Sequence, residues 1–539
     1  MSTPFFLRRH TTPCLLAALL STSTFAADPP PTPPPGPYPW PKATKPADAT
    51  TIDIPAHFKG SSAKRPSSGN GHTETVATIS WRNPIGSSWW ELFHDPTLSG
   101  LERDAIASNQ DLRQALERVT EAQQQTRATA ADFFPRVDAR FEASRQRTTD
   151  TGPILSARLP GSTASLFGAA AGQSGGPSTF QSQAVSTTYN DFHAPLTLSY
   201  EVDVFGRIRH SYGQARADAQ ASDADRRAVE LRLTSELATD YFLLRALDSQ
   251  VEVLQRTLDL RNKGVQLQQK RLDAGNASKL DLWRAQVERD NTAATLNDAV
   301  RQRAEMENTV AALCGRAASN FHVAPHPLTD TAPPAIPTAL PADLLTQRPD
   351  LVEAERRLAA ASEGIGAARA GFFPTFNLQG NYGYESAEFD HMFEERSRAW
   401  GISGVISVPI FEGGRNTANL RAAHARRDEA FAAYQQAALT AFKEAETALV
   451  DLRQRVEQSD IRERAVTTLR LVVDASQQRY IEGAVTYFEV IDAQRLVLDA
   501  ELSRVQTLNA RYAATIDLIR AFGGRYEKAV TGSLRRDSK

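Results

Sequence analysis

Four segments of the chain alternate strictly between apolar and polar positions. Val137, Ala139, Phe141 and Ala143 interleave with Arg136, Asp138, Arg140 and Glu142. Leu196, Leu198, Tyr200, Val202 and Val204 interleave with Thr197, Ser199, Glu201 and Asp203. Phe376, Leu378, Gly380, Tyr382 and Tyr384 form a third set, and Trp400, Ile402, Gly404, Ile406 and Val408 a fourth. A period of two predicts strands, at about 136–145, 195–204, 375–385 and 400–409. Strands of about nine residues suit an outer-membrane-type bilayer. Half-buried strands of a soluble sheet have the same period, so alternation alone leaves both readings open.

A second periodicity follows each strand pair. Leu237, Leu244, Val251, Leu258, Val265 and Leu272 fall at intervals of seven, joined by Leu247 and Leu254, which is a coiled-coil seam. The segment Arg207 to Leu272 contains no proline, and Arg415 to Tyr480 repeats the arrangement. A helix of that length is roughly 100 Å long at 1.5 Å per residue. Each breaks at a glycine, Gly275 or Gly483, and a further helix is expected to return, Leu280 to Leu313 and Tyr487 to Phe522.

These elements occur twice because the sequence does. Phe133-Phe134-Pro135 recurs as Phe372-Phe373-Pro374, 239 residues on. Arg271, Gly275, Ala285 and Gln286 recur as Arg479, Gly483, Ala493 and Gln494, 208 residues on. Copy one therefore carries 31 extra residues between Pro135 and Arg207, in the Gly/Ser-rich stretch Thr148 to Tyr189. That length difference belongs in a loop.

Composition removes several function classes. Net charge is −2, with 61 basic and 63 acidic residues, so no broad basic field advertises nucleic-acid binding. Two cysteines, Cys14 and Cys314, permit neither a disulfide framework nor a multi-cysteine zinc site. Cys314 closes an apolar helical run and reads as a small core residue. No cofactor-binding or catalytic constellation stands out. Gly172-x-Ser174-x-Gly176 matches a nucleophile pattern but lacks its strand-turn-helix context. Residues 1–26 read as a cleaved signal peptide: Arg8 and Arg9, an apolar run from Cys14 to Leu20, then Thr24-x-Ala26. No apolar stretch near 20 residues follows, so entry into a membrane would be as strands. Four strands cannot close a barrel, and an open edge cannot face lipid, so such strands require several chains in one barrel.

Trp90-x-x-Phe93-x-Asp95-Pro96-x-Leu98, the doubled Phe-Phe-Pro, Arg348-Pro349-Asp350, Phe411-x-Gly413-Gly414-Arg415 and Tyr487-x-x-Val490-Ile491-Asp492-Ala493-Gln494 together resemble the outer-membrane efflux proteins. This is the TolC family, in its NodT/OprM-like branch, and the resemblance covers about residues 81–524. It implies a mixed fold: a long α-helical coiled-coil periplasmic tunnel plus a transmembrane β-barrel shared between three protomers. The organisation becomes a signal peptide (1–26), a Pro-rich extended leader (27–80), repeat one (81–320), a linker (321–343), repeat two (344–524) and a polar tail (525–539). Many members carry a lipid anchor on a cysteine after the signal. Here Cys14 precedes the apolar run's end and no cysteine stands at the cleavage site, so an unlipidated N-terminus near Ala27 is expected.

The resemblance further implies a homotrimeric outer-membrane channel passing small molecules or drugs, with a periplasmic adaptor and an inner-membrane pump as partners. Its own chemistry is a gate, with no catalysis and no cofactor. Glu489 and Asp492 share a helical face beside Phe488 and Arg495, and each becomes a ring in a symmetric oligomer. The family pattern makes Asp492 and Glu489 gate acids and Phe488 an apolar plug, while Arg495 is expected to clamp a neighbouring carboxylate. The turns Gly275 to Ser278 and Gly483 to Thr486 are the expected adaptor-docking surface, although a capping role explains both glycines equally well. The alternatives are the conduit of a type I protein secretion system and a periplasmic coiled-coil scaffold with soluble strands.

Overall fold

The computed structural model describes residues 88–147, 188–328, 333–334 and 347–524. The expected signal, leader and tail, the Ser174 motif and most of the linker lie outside the described residues. Within them the second half repeats the order helix, two strands, long helix and returning helix of the first, which has the additional helix α1 and a first strand in two pieces. Helices α1 (Pro96–Ser108) and α2 (Gln110–Ala130) lead to strands β1 (Arg136–Ala139), β2 (Glu142–Arg147) and β3 (Thr188–Val202). Helices α3 (Arg207–Asp273) and α4 (Lys279–Leu313) follow. The second half runs α5 (Pro349–Ala370), β4 (Thr375–Ser386), β5 (Arg398–Ser407), α6 (Arg415–Ile481) and α7 (Tyr487–Ala521). The long helices α3 and α6 each have 67 residues, and the returning helices α4 and α7 each have 35.

Glycines set these lengths. Gly206 and Gly414 precede α3 and α6 at φ 81° and 88°, and Gly275 and Gly483 follow them at φ 76°. A side chain strongly disfavours that left-handed conformation, so the helices start and stop there. At the far ends the amides of Gly275 and Asn276 donate to the carbonyls of Leu272 and Arg271, and Gly483 and Ala484 repeat this with Tyr480 and Arg479. Both are Schellman-type caps that satisfy carbonyls the helix leaves free.

The sheet is antiparallel, in the order β1/β2, β3, β4, β5. β1 and β2 are one interrupted strand, since both keep the same register against β3. The interruption faces Pro195, which has no N–H to donate, although Arg140 N still donates to its carbonyl at 3.0 Å. On the other side of Pro195 stands Gly383, where a Cβ would lie 2.3 Å from the Ala194 carbonyl oxygen. β3 begins at Thr188, well before the expected Pro195, because its N-terminal part pairs with β2.

In its middle rows the sheet has one apolar face and one polar face. Val137, Leu198, Gly380 and Ile402 form one row across all the strands, and Ala139, Leu196, Tyr382 and Trp400 form another. The opposite face carries Asp138, Thr197, Asn381 and Gly401 in one row and Ser199, Gln379 and Ser403 in the next. No strand residue belongs to any buried hydrophobic cluster among the described residues. Trp400 is 70% exposed and Ile402 83%. A soluble sheet buries one face against a second layer. Here the apolar face has none.

Helices continue the order of the strands. α2 packs on α3, α3 on α5 and α5 on α6. Thr126 Oγ1 donates to the Ala215 carbonyl, His210 Nδ1 lies 2.7 Å from Glu363 Oε2, and Asn416 Nδ2 donates to the Gly371 carbonyl. α3 and α5 approach so closely that a Cβ on Gly366 would sit 2.5 Å from His210 Nδ1. The sheet and the helical array therefore end on the same two sides, at α2 with β1/β2 and at α6 with β5.

The core lies at the foot of α1. Trp89, Trp90, Leu98, Leu101, Leu237, Tyr241, Phe242, Cys314 and Ile516 are buried together. Asp95 explains the Trp-x-x-Phe-x-Asp-Pro signature. It caps α1 through the amides of Thr97 and Leu98 and accepts a 2.5 Å bond from Tyr241 Oη. Asn109 caps α2 and donates to the Leu313 carbonyl at the end of α4, and Arg348 stands at the same place in copy two. It donates to the Ala521 carbonyl and to Asp350 and Glu444, pinning the end of α7 to the start of α5. Cys314 is fully buried, and burial pushes its thiol up to about 11.

The described part of the expected linker is laced onto helices. Asp248 accepts from Arg245 and Arg303 and from the His326 amide, while Glu307 accepts from the Val323 amide. Residues 321–328 are thus a strap, because their backbone donors and carbonyls satisfy charges buried between α3 and α4.

One core residue has no such compensation. Glu102 is fully buried, neither carboxyl oxygen has a partner among the described residues, and burial pushes its carboxyl from 4.5 up to about 9. The unfolded chain loses this proton near pH 4.5 while the folded chain keeps it, so stability falls from there up to about pH 9. Glu102→Gln is expected to raise the thermal unfolding temperature at about pH 8 and to leave it nearly unchanged at about pH 4. Equal shifts at both values would refute a neutral buried carboxyl.

Candidate functional site

The turn between α6 and α7 places the expected gate residues on the outside of one helix. Tyr487, Val490, Ile491 and Ala493 face inward and are buried. The first three pack with Ala285 of α4, Val265 of α3 and Tyr480 of α6. Phe488, Glu489, Asp492 and Arg495 take the opposite side and are exposed in the protomer. Neither Glu489 nor Asp492 has a charged partner among the described residues. Arg284 of α4 lies over the Phe488 ring at 5.5 Å.

Polar side chains hold this turn against the first half. Gln268, fully buried on α3, donates to Tyr480 Oη at 3.0 Å, and Arg271 covers the same ring at 4.8 Å. Tyr487 sits over Gly264, where a Cβ would meet its hydroxyl at 3.0 Å. Burial pushes the Tyr487 phenol up, so it stays neutral. Arg495 Nε reaches Glu288 Oε1 on α4 at 3.6 Å. Within the chain, the carboxylate beside Arg495 is therefore Glu288. The second oxygen of Glu288 lies 3.7 Å from Arg261 of α3, whose side chain is 4% exposed.

The two turns themselves are open. A Cβ on Gly275 or Gly483 would meet nothing within 4 Å, so within the chain these glycines serve backbone conformation and not close packing. Ser278 caps α4 by accepting from the Leu280 amide, while Thr486 precedes α7 without a side-chain cap. Farther along, Glu501 of α7 accepts from Arg256 of α3 at 2.7 Å and from Arg470 of α6 at 2.7 Å. These three residues line a groove of about 1060 Å³ between α3, α6 and α7.

Sequence reasoning missed Arg261, Gln268, Glu288 and Glu501. Comparing the copies would have flagged two of them, because Arg261 and Glu288 correspond to Leu469 and Leu496 at the 208-residue offset. A charge in one copy where the other keeps leucine marks a position that has specialised. Among the described residues no group of acids, histidines and cysteines could hold a metal ion. No described helix is long and apolar enough to cross a membrane.

Known proteins share this fold. A family model described as outer membrane efflux protein matches residues 101–316 and 340–524. The solvent efflux pump outer membrane protein SrpC of Pseudomonas putida is 31% identical over 434 residues, 80% of this chain and 86% of that protein. The cation efflux system protein CusC of Escherichia coli is 29% identical over 447 residues, covering 82% and 90%. The solved outer-membrane channel OprN superposes with a TM-score of 0.72 at 28% identity, over 86% of this chain and 98% of that one. The chain belongs to the outer membrane efflux protein family.

Proposed function

We propose that three copies of this chain form the outer-membrane duct of a tripartite efflux system. It receives small molecules from an inner-membrane pump through a periplasmic adaptor. The observation that carries this reading is the open sheet: one face with apolar central rows and nothing packed on it, and two edges unpaired among the described residues. Lipid satisfies the apolar face, and only further strands satisfy the edges. Both edges sit beside helices that are likewise unpaired on their outer sides, so one rotation closes strands and helices together. The trimer, with twelve strands, follows the family pattern. Relatives named for solvents and for cations indicate that the fold does not select the cargo.

In such a ring the exposed face of α7 meets its copies. Glu489 and Asp492 then form stacked carboxylate rings that attract cations, and Phe488 forms an apolar constriction. The turns at Gly275–Ser278 and Gly483–Thr486 are the adaptor-docking surface; no described residue lies within 4 Å of a Cβ built on either glycine.

Two measurements test this. Detergent extracts of outer membrane should yield a species three times the protomer mass that dissociates on heating; a water-soluble monomer would refute the shared barrel. Asp492→Ala should raise single-channel conductance in a planar bilayer and weaken cation selectivity. Unchanged conductance and selectivity would remove Asp492 from the gate.

A further inference from the structure

Arg261 is a buried cation without adequate compensation. None of its three guanidinium nitrogens has a hydrogen-bond partner among the described residues, and burial holds it below the usual arginine range. Its acid is Glu288, at 3.7 Å, too long for a hydrogen bond. Glu288 is itself only 15% exposed, and its other oxygen faces Arg495 at 3.6 Å. Two guanidinium groups thus share one carboxylate. They come from helices of different standing: Arg261 from α3, Glu288 from α4 and Arg495 from α7, which carries the gate acids.

A guanidinium out of water costs several kcal/mol unless a carboxylate and hydrogen bonds offset it. A bidentate pair is the geometry that does so best, and the division of Glu288 prevents it. We infer that Arg261 and Arg495 compete for Glu288, so that Glu288–Arg495 latches the gate helix shut while Arg261 opposes the latch. When α7 swings away, Arg495, already 57% exposed, is hydrated at little cost. Glu288 is then free to form a full pair with Arg261. The seated state carries the undercompensated charge and the released state relieves it, which lowers the work an adaptor must do to open the channel. Arg261 is a positioning residue here and touches no cargo. This inference rests on α7 being the gate helix.

The test is a set of variants in the full-length trimer, read by single-channel open probability and by the temperature at which the trimer dissociates. Glu288→Gln and Arg495→Gln should both raise open probability. Arg261→Met should do the opposite, lowering it by about fivefold, the shift expected of a change near one kcal/mol. It should also raise the dissociation temperature, because an apolar side chain of similar length replaces an unpaired buried charge. Adding Arg261→Met to Glu288→Gln should change open probability no further, because the carboxylate they compete for is already gone. An Arg261→Met channel that is more open than wild type, unaltered, or unable to assemble would overturn the competition. Asp492→Ala separates the two ideas. If it raises conductance while Arg261→Met does not lower open probability, the gate stands and the competition falls; if neither Asp492→Ala nor Arg495→Gln has any effect, the gate reading fails first.

Discussion

An unpaired strand edge has to be hydrogen-bonded to something, and the rest of this molecule is arranged around that demand. A row of free N–H and C=O groups is tolerable in water but costs several kcal/mol per group in hydrocarbon. The sheet here has apolar central rows on one face that a nonpolar medium suits, and its edge strands β1/β2 and β5 lack a further strand among the described residues. Both conditions are met at once if copies pair edge to edge. The helices obey the same logic in water, where α2 and α6 end the array on the sides where the strands end. Duplication suits that pairing, since two like halves in each protomer would make such a ring one of alternating, nearly equivalent units.

Much of the helical part was legible. A seven-residue seam, the absence of proline and two glycine stops give α3 and α6 within a residue or two of their observed ends. Strands were legible as alternation but not as pairings. The interruption opposite Pro195 and the early start of β3 depend on register, which no single segment encodes. The strap at residues 321–328 read as a loose proline-rich linker because its order comes from Asp248 and Glu307, more than fifteen residues away along the chain.

The exposed face of α7 was readable for a different reason. Phe488, Glu489, Asp492 and Arg495 stand close in sequence at helical spacing, so their shared side follows from period alone. Their supports do not. Arg261, Gln268 and Glu288 are brought beside α7 by the antiparallel return of two long helices, and only a contact map or a comparison of the two copies exposes them. Local chemistry announces itself in the sequence, whereas the shell that holds it is a property of the fold.

The equality of α3 and α6, at 67 residues each, ties the lengths of the two halves together. Two rods that share a lid at one end and a floor at the other form a parallelogram, and shortening one alone tilts the floor. Evolution can therefore stretch such a passage only by altering four helices in concert, in increments that keep the apolar seam on the same side. Insertions confined to a loop face no such condition, and the 31 residues by which the copies differ fall between Pro135 and Arg207, outside the long helices. The span between membrane and turn is in that sense inherited as a fixed measure, and diversity in this architecture is expected to accumulate at its rim.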